Sequence, residues 1–346
     1  MRNYRIVALP GEGIGPEVVE ACLMILQAIA QQENFSLTVD TGQIGEPARQ
    51  QFGEYLPQET LQLCEGSDGI LFGSVTQGGL LGLRKHFDLF ANLRPVKPSP
   101  SLIDLSPIKA NRLKNVDLLF VRELVSGIYF GQAERQDGYG FHTMRYADAE
   151  ISRVARVALE QAQARRQQLC VAHKENALPY LHWQRLVQAE ARAFPEVSVV
   201  PMLVDNLAMQ LIKRPADFDV ILAGNLFGDI LSDLGGAIAG SIGLLGSASL
   251  NANGFGMYEA VHGTAPDIAG KGIANPLGTL ASVVLMLQQW GELKAAQTLI
   301  AIQEKVLAQG YRTADLFEPT LAQQQQQVTT AELVDLFITS IRRASR

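Results

Sequence analysis

Cysteine is scarce: Cys22, Cys64 and Cys170 are the only three in 346 residues, odd in number and scattered. They build no disulfide framework and lack the spacing of a zinc site. Cys22 and Cys170 stand among apolar neighbours and read as small core residues. Basic charge is also short: 29 Lys and Arg against 35 Asp and Glu give a net charge of −6. That leaves no electrostatic footprint for nucleic acid. The longest apolar run, roughly residues 234 to 250, is rich in glycine and too short to span a bilayer comfortably. No signal-peptide pattern precedes the strand-like Ile6-Val7-Ala8-Leu9, so a reducing cytoplasm is the expected compartment. Apolar residues make up 47% and charged residues 18%, which excludes a disordered chain. The length admits two domains and a sizeable core.

What is present is an alternation of short apolar strands and amphipathic helices, an α/β pattern. A strand over residues 4–9, a turn Pro10-Gly11-Glu12-Gly13-Ile14-Gly15-Pro16, a helix to about Gln32 and a strand from Phe35 form a βαβ opening. Its glycines fall short of the dinucleotide fingerprint and read as a tight strand-to-helix turn. Residues 95–105 carry Pro95, Pro98 and Pro100 and predict a crossing between domains. Residues 132–146 are polar, with Gly138 and Gly140, and predict a projecting hairpin or arm. A helix is expected over 148–166. The run Gln323 to Gln327 reads as a solvated helix face, followed by a capping box of Thr329 and Glu332.

Chemistry concentrates in a few stretches. In Asn225-Leu226-Phe227-Gly228-Asp229-Ile230-Leu231-Ser232-Asp233 the two Asp are four apart. On a helix that places both carboxylates on one face, with Ile230 and Leu231 turned toward a core. Two adjacent carboxylates repel unless a cation lies between them, and an all-oxygen site suits a hard divalent ion. Taken alone, the pair is more often a solvated helix face than a metal site. Arg84, Arg94 and Arg122 are three guanidinium forks, each able to grip a carboxylate. Tyr129 sits between Gly127 and Gly131, and Lys174 stands at a strand end, where α/β proteins place ligands. Residues 258–276 form a long loop rich in Gly, Pro and polar groups, a composition that is usually functional.

Five separated stretches, Leu80 to Arg94, Val121 to Leu124 with Gly127 to Gly131, Lys174 with Asn176, Asn225 to Asp233, and His262 to Pro276, together resemble one family. It is the metal-dependent β-decarboxylating hydroxyacid dehydrogenases, the isocitrate and isopropylmalate dehydrogenases, and the isopropylmalate branch in particular. The resemblance runs from about Tyr4 to Phe317. It implies a two-domain α/β fold with a central mixed sheet flanked by helices and without a classical Rossmann nucleotide site. Residues 1–89 and 240–346 would form the terminal, cofactor-binding domain. Residues 90–239 would form a central domain with the dimer interface and the arm near 132–146. It further implies NAD-dependent oxidative decarboxylation of a 3-substituted malate with an apolar side group, in the type reaction 3-isopropylmalate to 2-oxo-4-methylpentanoate of leucine biosynthesis. A homodimer would share its active sites, with no nucleic acid or membrane partner.

By the same resemblance Asp229 and Asp233 would bind Mg²⁺ or Mn²⁺ from one subunit and Asp205 from the other, with Asp205 also facing substrate. Lys174 would be the base and Tyr129 the acid. Arg84, Arg94 and Arg122 would hold the malate carboxylates, and Leu80 and Leu81 would wall the side group. Glu259, His262, Gly263, Thr264, Ala265 and Asn275 would line the cofactor. Asp267, a carboxylate suited to ribose hydroxyls and hostile to a 2′-phosphate, selects NAD. The chain departs from the branch at Gln77, Ala177, His173, Gly224 and a shortened loop after Gly73. Gln77 and Ala177 leave room for a bulkier alkyl or benzyl group. A homoisocitrate or tartrate enzyme, disfavoured by Leu80 and Leu81, and an inactive regulatory subunit, disfavoured by the intact Lys174, Tyr129 and Asp residues, remain the alternatives.

Overall fold

The computed structural model describes residues 2–344; positions 1 and 345–346 of the expected terminal domain lie outside them. The strands are β1 (Arg2–Gly11), β2 (Phe35–Thr41), β3 (Gly69–Ser74), β4 (Ala91–Val96), β5 (Leu118–Glu123), β6 (Ala133–Gln136), β7 (Tyr139–His142), β8 (Gln168–His173), β9 (Ser198–Leu203), β10 (Val220–Ala223), β11 (Gly246–Leu250), β12 (Gly256–Ala260), β13 (Tyr311–Arg312) and β14 (Gln326–Gln327). The helices are α1 (Gly15–Glu33), α2 (Glu46–Phe52), α3 (Gln58–Glu65), α4 (Leu80–His86), α5 (Ala110–Leu113), α6 (Asp148–Gln163), α7 (Trp183–Ala191), α8 (Val204–Lys213), α9 (Asn225–Ala239), α10 (Leu277–Gln289), α11 (Leu293–Ala308) and α12 (Thr330–Ala344).

One mixed sheet of 10 strands runs β2-β1-β3-β12-β11-β4-β5-β10-β8-β9. Strands from residues 2–74 and 246–260 make one half, and strands from 91–223 the other. The halves meet where β4 lies antiparallel to both β11 and β5. The interior strands β3, β5 and β10 are buried along their whole length, as parallel strands covered on both faces must be. The stripe Cys22, Ile25, Leu26 and Ile29 of α1 is buried against one face, in one core with α10, α11 and α12, while Val18 packs with Ile14 and Ala274. A second core under α8 and α9 gathers Phe120, Ile221, Leu207, Leu211 and Leu231. All three cysteines are buried and unpaired, and burial pushes the thiols of Cys64 and Cys170 up to about 12.

Several local expectations shift. Pro95 belongs to β4, not to a crossing: it faces Leu119 of β5, beyond the stretch where β11 pairs, so its missing N–H breaks no ladder on that side. The expected hairpin is β6–β7, turned at Gly138 with φ 90°. The 148–166 helix ends at Gln163. Tyr258 and Glu259 lie in β12 instead of a loop, paired with the unanticipated strand β11. The glutamine run is a turn that feeds β14 alongside β13, not a helix. The capping box is present: Thr329 N–H donates to Glu332 at 2.8 Å and Glu332 N–H to Thr329 Oγ1 at 3.2 Å. Among the described residues no helix is long and apolar enough to cross a membrane.

Candidate active site

Helix α9 starts behind β10, at the carboxyl edge of the sheet, and presents Asp229 and Asp233 on one face. Leu231 is buried, as its spacing predicts, but Ile230 is 61% exposed and does not join the core. The first turn of α9 is fixed by side chains from elsewhere: Asn225 N–H donates to Tyr146 Oη at 2.8 Å. Gly127 and Gly224 make room for that phenol, since a Cβ at either would lie 2.3 Å and 2.9 Å from its oxygen.

Three guanidinium groups are brought to this face. Arg122 is the penultimate residue of β5; its Nη1 bonds Asp229 Oδ1, and its Nε and Nη2 donate to Asn225 Oδ1 at 3.1 and 2.8 Å. Arg94, on β4, donates from Nε to Asn92 Oδ1 at 2.8 Å, and from Nη1 to Ser232 Oγ at 2.8 Å and Asp233 Oδ1 at 3.2 Å. Arg84, on α4, pairs with Glu259 at 2.7 Å, both side chains buried; its Nε is buried without a partner. Burial, then repulsion from Arg94, lowers Arg122 to about 10; burial likewise lowers Arg94, opposed by Asp229. Both stay cationic at neutral pH. Burial and the neighbouring Asp229 carboxylate raise Asp233, against the pull of Arg94. A divalent ion between the two carboxylates would relieve that repulsion.

Tyr129, 41% exposed, donates from its hydroxyl to Asp229 Oδ2 at 3.0 Å. Burial and that carboxylate raise its pKa. Glu123, fully buried at the end of β5, accepts the N–H groups of Val125 and Ser126 at 3.1 and 3.0 Å and so anchors the loop that carries Tyr129. Lys174, just past β8, bonds Asp205 in the first turn of α8 at 2.6 Å; that bond lowers Asp205. Asp205 is not gathered with Asp229 and Asp233: among the described residues no three His, Cys, Asp or Glu side chains are grouped to hold a metal. Leu80 is half-buried and Leu81, Gln77 and Ala177 are exposed.

The loop from residue 261 to 276 packs on the β1–α1 turn. Ile14 N–H donates to Thr264 O at 2.9 Å, and a Cβ on Gly13 would lie 2.0 Å from that oxygen, which is the local reason for glycine there. Ala265 takes φ 39°, an uncommon left-handed conformation for a residue with a Cβ. His262 bonds Gly263 O through Nδ1 at 2.9 Å, and its Nε2 is buried with no partner. Asp267 and Gly263 are exposed. Asn275 is buried, donating to Asp315 Oδ2 at 3.0 Å and accepting from Leu277 N–H at 3.0 Å. Glu259, expected along the cofactor, has its carboxylate engaged by Arg84.

Sequence reasoning did not single out Asn92, Asn225, Ser232, Glu123, Tyr146 or Asp315. Asn92 had a signal, because it lies two residues from Arg94 on a strand and shares its face.

Two helix-borne carboxylates supply hard oxygen donors, and they fit a divalent ion whose shell is completed from outside this chain. The orphaned His262 Nε2 fits a polar ligand over the loop. The model of the isocitrate/isopropylmalate dehydrogenase family matches residues 5–337, and the chain belongs to that family. It is 45% identical to the 3-isopropylmalate dehydrogenase of Halalkalibacterium halodurans, covering 91% of this chain and 92% of that one. It is 41% identical to that of Aquifex aeolicus over 99% and 98%. Among solved structures, isocitrate dehydrogenase from Methylococcus capsulatus superposes with TM-score 0.88 at 30% identity, covering 98% of this chain and 99% of that one. A β-decarboxylating dehydrogenase from Thermococcus kodakarensis gives TM-score 0.80 at 32% identity over 98% and 96%.

Proposed function

We propose that the protein catalyses NAD-dependent oxidative decarboxylation of a 3-substituted malate with an apolar side group, in the first instance 3-isopropylmalate, with Mg²⁺ or Mn²⁺. The observation that carries this reading is the cluster of Arg94 and Arg122 on the Asp229–Asp233 pair, with Arg84 near enough to repel both and Tyr129 within hydrogen-bond reach of Asp229. The guanidinium groups bind and orient the two carboxylates of a malate. Lys174, oriented by Asp205, takes the proton of the C2 hydroxyl, and Tyr129 returns a proton to the carbon that loses CO₂. When bound, NAD supplies the hydride acceptor and the divalent ion a Lewis acid for the charge left by departing CO₂. Asp229 and Asp233 would hold that ion. His262, Gly263, Thr264, Ala265 and Asn275 would line the nucleotide, and Asp267 would meet its ribose.

Asp205 and Lys174 would be delivered by a second copy of the chain. Two features support a homodimer. The β6–β7 hairpin is almost wholly exposed, and an isolated two-stranded hairpin is marginal alone. Met209 and Ile212 of α8 and Ile230 of α9 are exposed apolar side chains on neighbouring helices. Residues 1–89 with 240–346 and residues 90–239 would be the two domains.

A panel of substituted malates, isocitrate, homoisocitrate and tartrate with NAD⁺ and Mn²⁺, followed by NADH absorbance, tests the reading. Turnover of isopropylmalate well above the polar acids is expected; preference for a polar acid, or no NADH with any alkylmalate, sinks it. The exposed Ala177 and Gln77 favour a second reading, a bulkier group. A higher kcat/KM for benzylmalate than for isopropylmalate would establish that one.

A further inference from the structure

The loop over residues 261–276 is held by two elements that stand far from it in the chain. Helix α12 begins at Thr330, and that residue reaches back to the loop's second leg. Its N–H donates to Gly272 O at 3.0 Å. Its hydroxyl lies 2.7 Å from Ala274 O and also contacts Glu17 Oε1, so its one proton serves either oxygen. Glu17, in the first turn of α1, accepts Ala274 N–H at 2.8 Å. The N–H and the C=O of Ala274 are thus both engaged by side chains, one from each helix. Ala274 is 0% and Thr330 5% exposed, so these bonds are closed to water. Beneath them Ile14 and Val18 pack with Ala274, and Ala265 and Ile268 rest on that small core.

The place of this clasp gives it meaning. The first leg of the loop is tied at Thr264 O by Ile14 N–H. Between the two ties Asp267, Gly270 and Lys271 are exposed, and the bonds from Ile268 N–H to Ala265 O and from Lys271 N–H to Ile268 O are short local turns. Gly270 and Gly272 have positive φ and open space where a Cβ would stand, so packing does not fix the crown of the loop. The second tie must do so, and Asn275 follows directly on Ala274. A loop with a loose leg spends part of its time in shapes that cannot bind, and apparent affinity falls by the fraction that can. We infer that Glu17 and Thr330 are positioning residues that clasp the loop at Ala274 and thereby set the affinity for the dinucleotide. The inference rests on the proposed function in taking this loop as the nucleotide site.

Thr330→Val keeps the side chain's shape and the backbone bond to Gly272 and removes only the hydroxyl. It should weaken NADH binding about 10-fold, the size expected for losing a bond shared with a charged acceptor. Calorimetric titration with NADH in the absence of substrate reads this, while kcat at saturating NAD⁺ should stay as in wild type. Thr330→Ser restores the hydroxyl and should restore the affinity. Thr329→Ala is the structural control: it removes the capping-box hydroxyl one residue earlier and should lower Tm without moving the NADH Kd. A merely structural role predicts that Thr330→Val and Thr329→Ala behave alike. Limited trypsin digestion, with the cut after Lys271 mapped by mass spectrometry, follows the loop without any nucleotide and should run faster in Thr330→Val. If Thr330→Val fails to fold by circular dichroism, Glu17→Ala, at a half-buried position, carries the same comparison. An unchanged NADH Kd in Thr330→Val, an equal loss in Thr329→Ala, or no recovery in Thr330→Ser overturns the inference. A wild type that binds no NADH, with the Lys271 cut still faster in Thr330→Val, overturns the nucleotide reading of the loop and leaves the clasp standing. No NADH binding and no change in the cut overturns both.

Discussion

Glu123→Gln should make the protein more stable at alkaline pH and slightly less stable at acid pH. Glu123 is fully buried, and burial raises its carboxyl from an ordinary 4.5 to about 7 even though two backbone N–H groups favour the anion. A carboxyl raised on folding binds a proton in the native chain that the unfolded chain has already released. Stability is therefore undiminished by this group below about 4.5, falls as pH rises through the window to about 7, and carries the full penalty above it. Moving a titration from 4.5 to about 7 corresponds to roughly 3 kcal/mol. Glutamine is always neutral, so it escapes that penalty, although it loses one of the two acceptor oxygens, a cost of about 1 kcal/mol at every pH. Urea unfolding of both proteins at pH 5, 6, 7 and 8, at one protein concentration, measures the gap between them. The gap should swing in favour of Gln by about 2–3 kcal/mol from pH 5 to pH 8. A gap that stays constant across the series would refute the reasoning, since only a titrating Glu123 can make it move.

Lys174→Ala and Tyr129→Phe should keep the fold, because both side chains are partly solvent-exposed, and should each lower kcat by ~10²–10⁴-fold; stopped-flow NADH formation at near-normal rate in either removes that residue from proton transfer. Gly228→Ala would bring a Cβ to 2.7 Å from Arg122 Cγ, so the guanidinium should be displaced and KM for substrate should rise about tenfold, with a stability loss of ~1 kcal/mol from crowding; an unchanged KM would show that Arg122 need not hold its present position. Asp267→Lys should shift preference from NAD⁺ toward NADP⁺, read as the ratio of kcat/KM for the two nucleotides, and an unmoved ratio would exclude Asp267 from the ribose.

The parts of this molecule legible in its sequence are those written in local periodicity. The four-residue spacing of Asp229 and Asp233 placed them on one helical face, and the Thr329–Glu332 box marked the start of α12. The strands β3, β5 and β10 show as continuous apolar runs because both of their faces are covered. The hairpin β11–β12 escaped because Gly246-Ser247-Ala248-Ser249 has neither β-branched residues nor alternation; its strand character comes from being clamped between β4 and β12. The five consecutive glutamines hid a short ladder set by β13, distant in pattern though near in sequence. Ile230 was misplaced because helical spacing tells which residues share a face, not how wide the core beneath them is. In the candidate site, chemically distinctive residues were singled out from motif context, whereas their holders Asn92, Asn225 and Tyr146 were not. The partners of Asn225 and Tyr146 lie across the fold, Asn225 being 103 positions from Arg122 and 79 from Tyr146, and only the tertiary arrangement brings them together, whereas Asn92 stands two residues from Arg94 on one strand.

The three cysteines, all shut inside the protein, give the experimenter a silent background. A maleimide or spin label needs a thiol that can ionise and be reached, and the native ones offer neither. One cysteine placed at the exposed Gln136 of the β6–β7 hairpin would thus report on that hairpin alone, in an otherwise unaltered chain, and the dependence of its reactivity on protein concentration would test whether the hairpin meets a second copy.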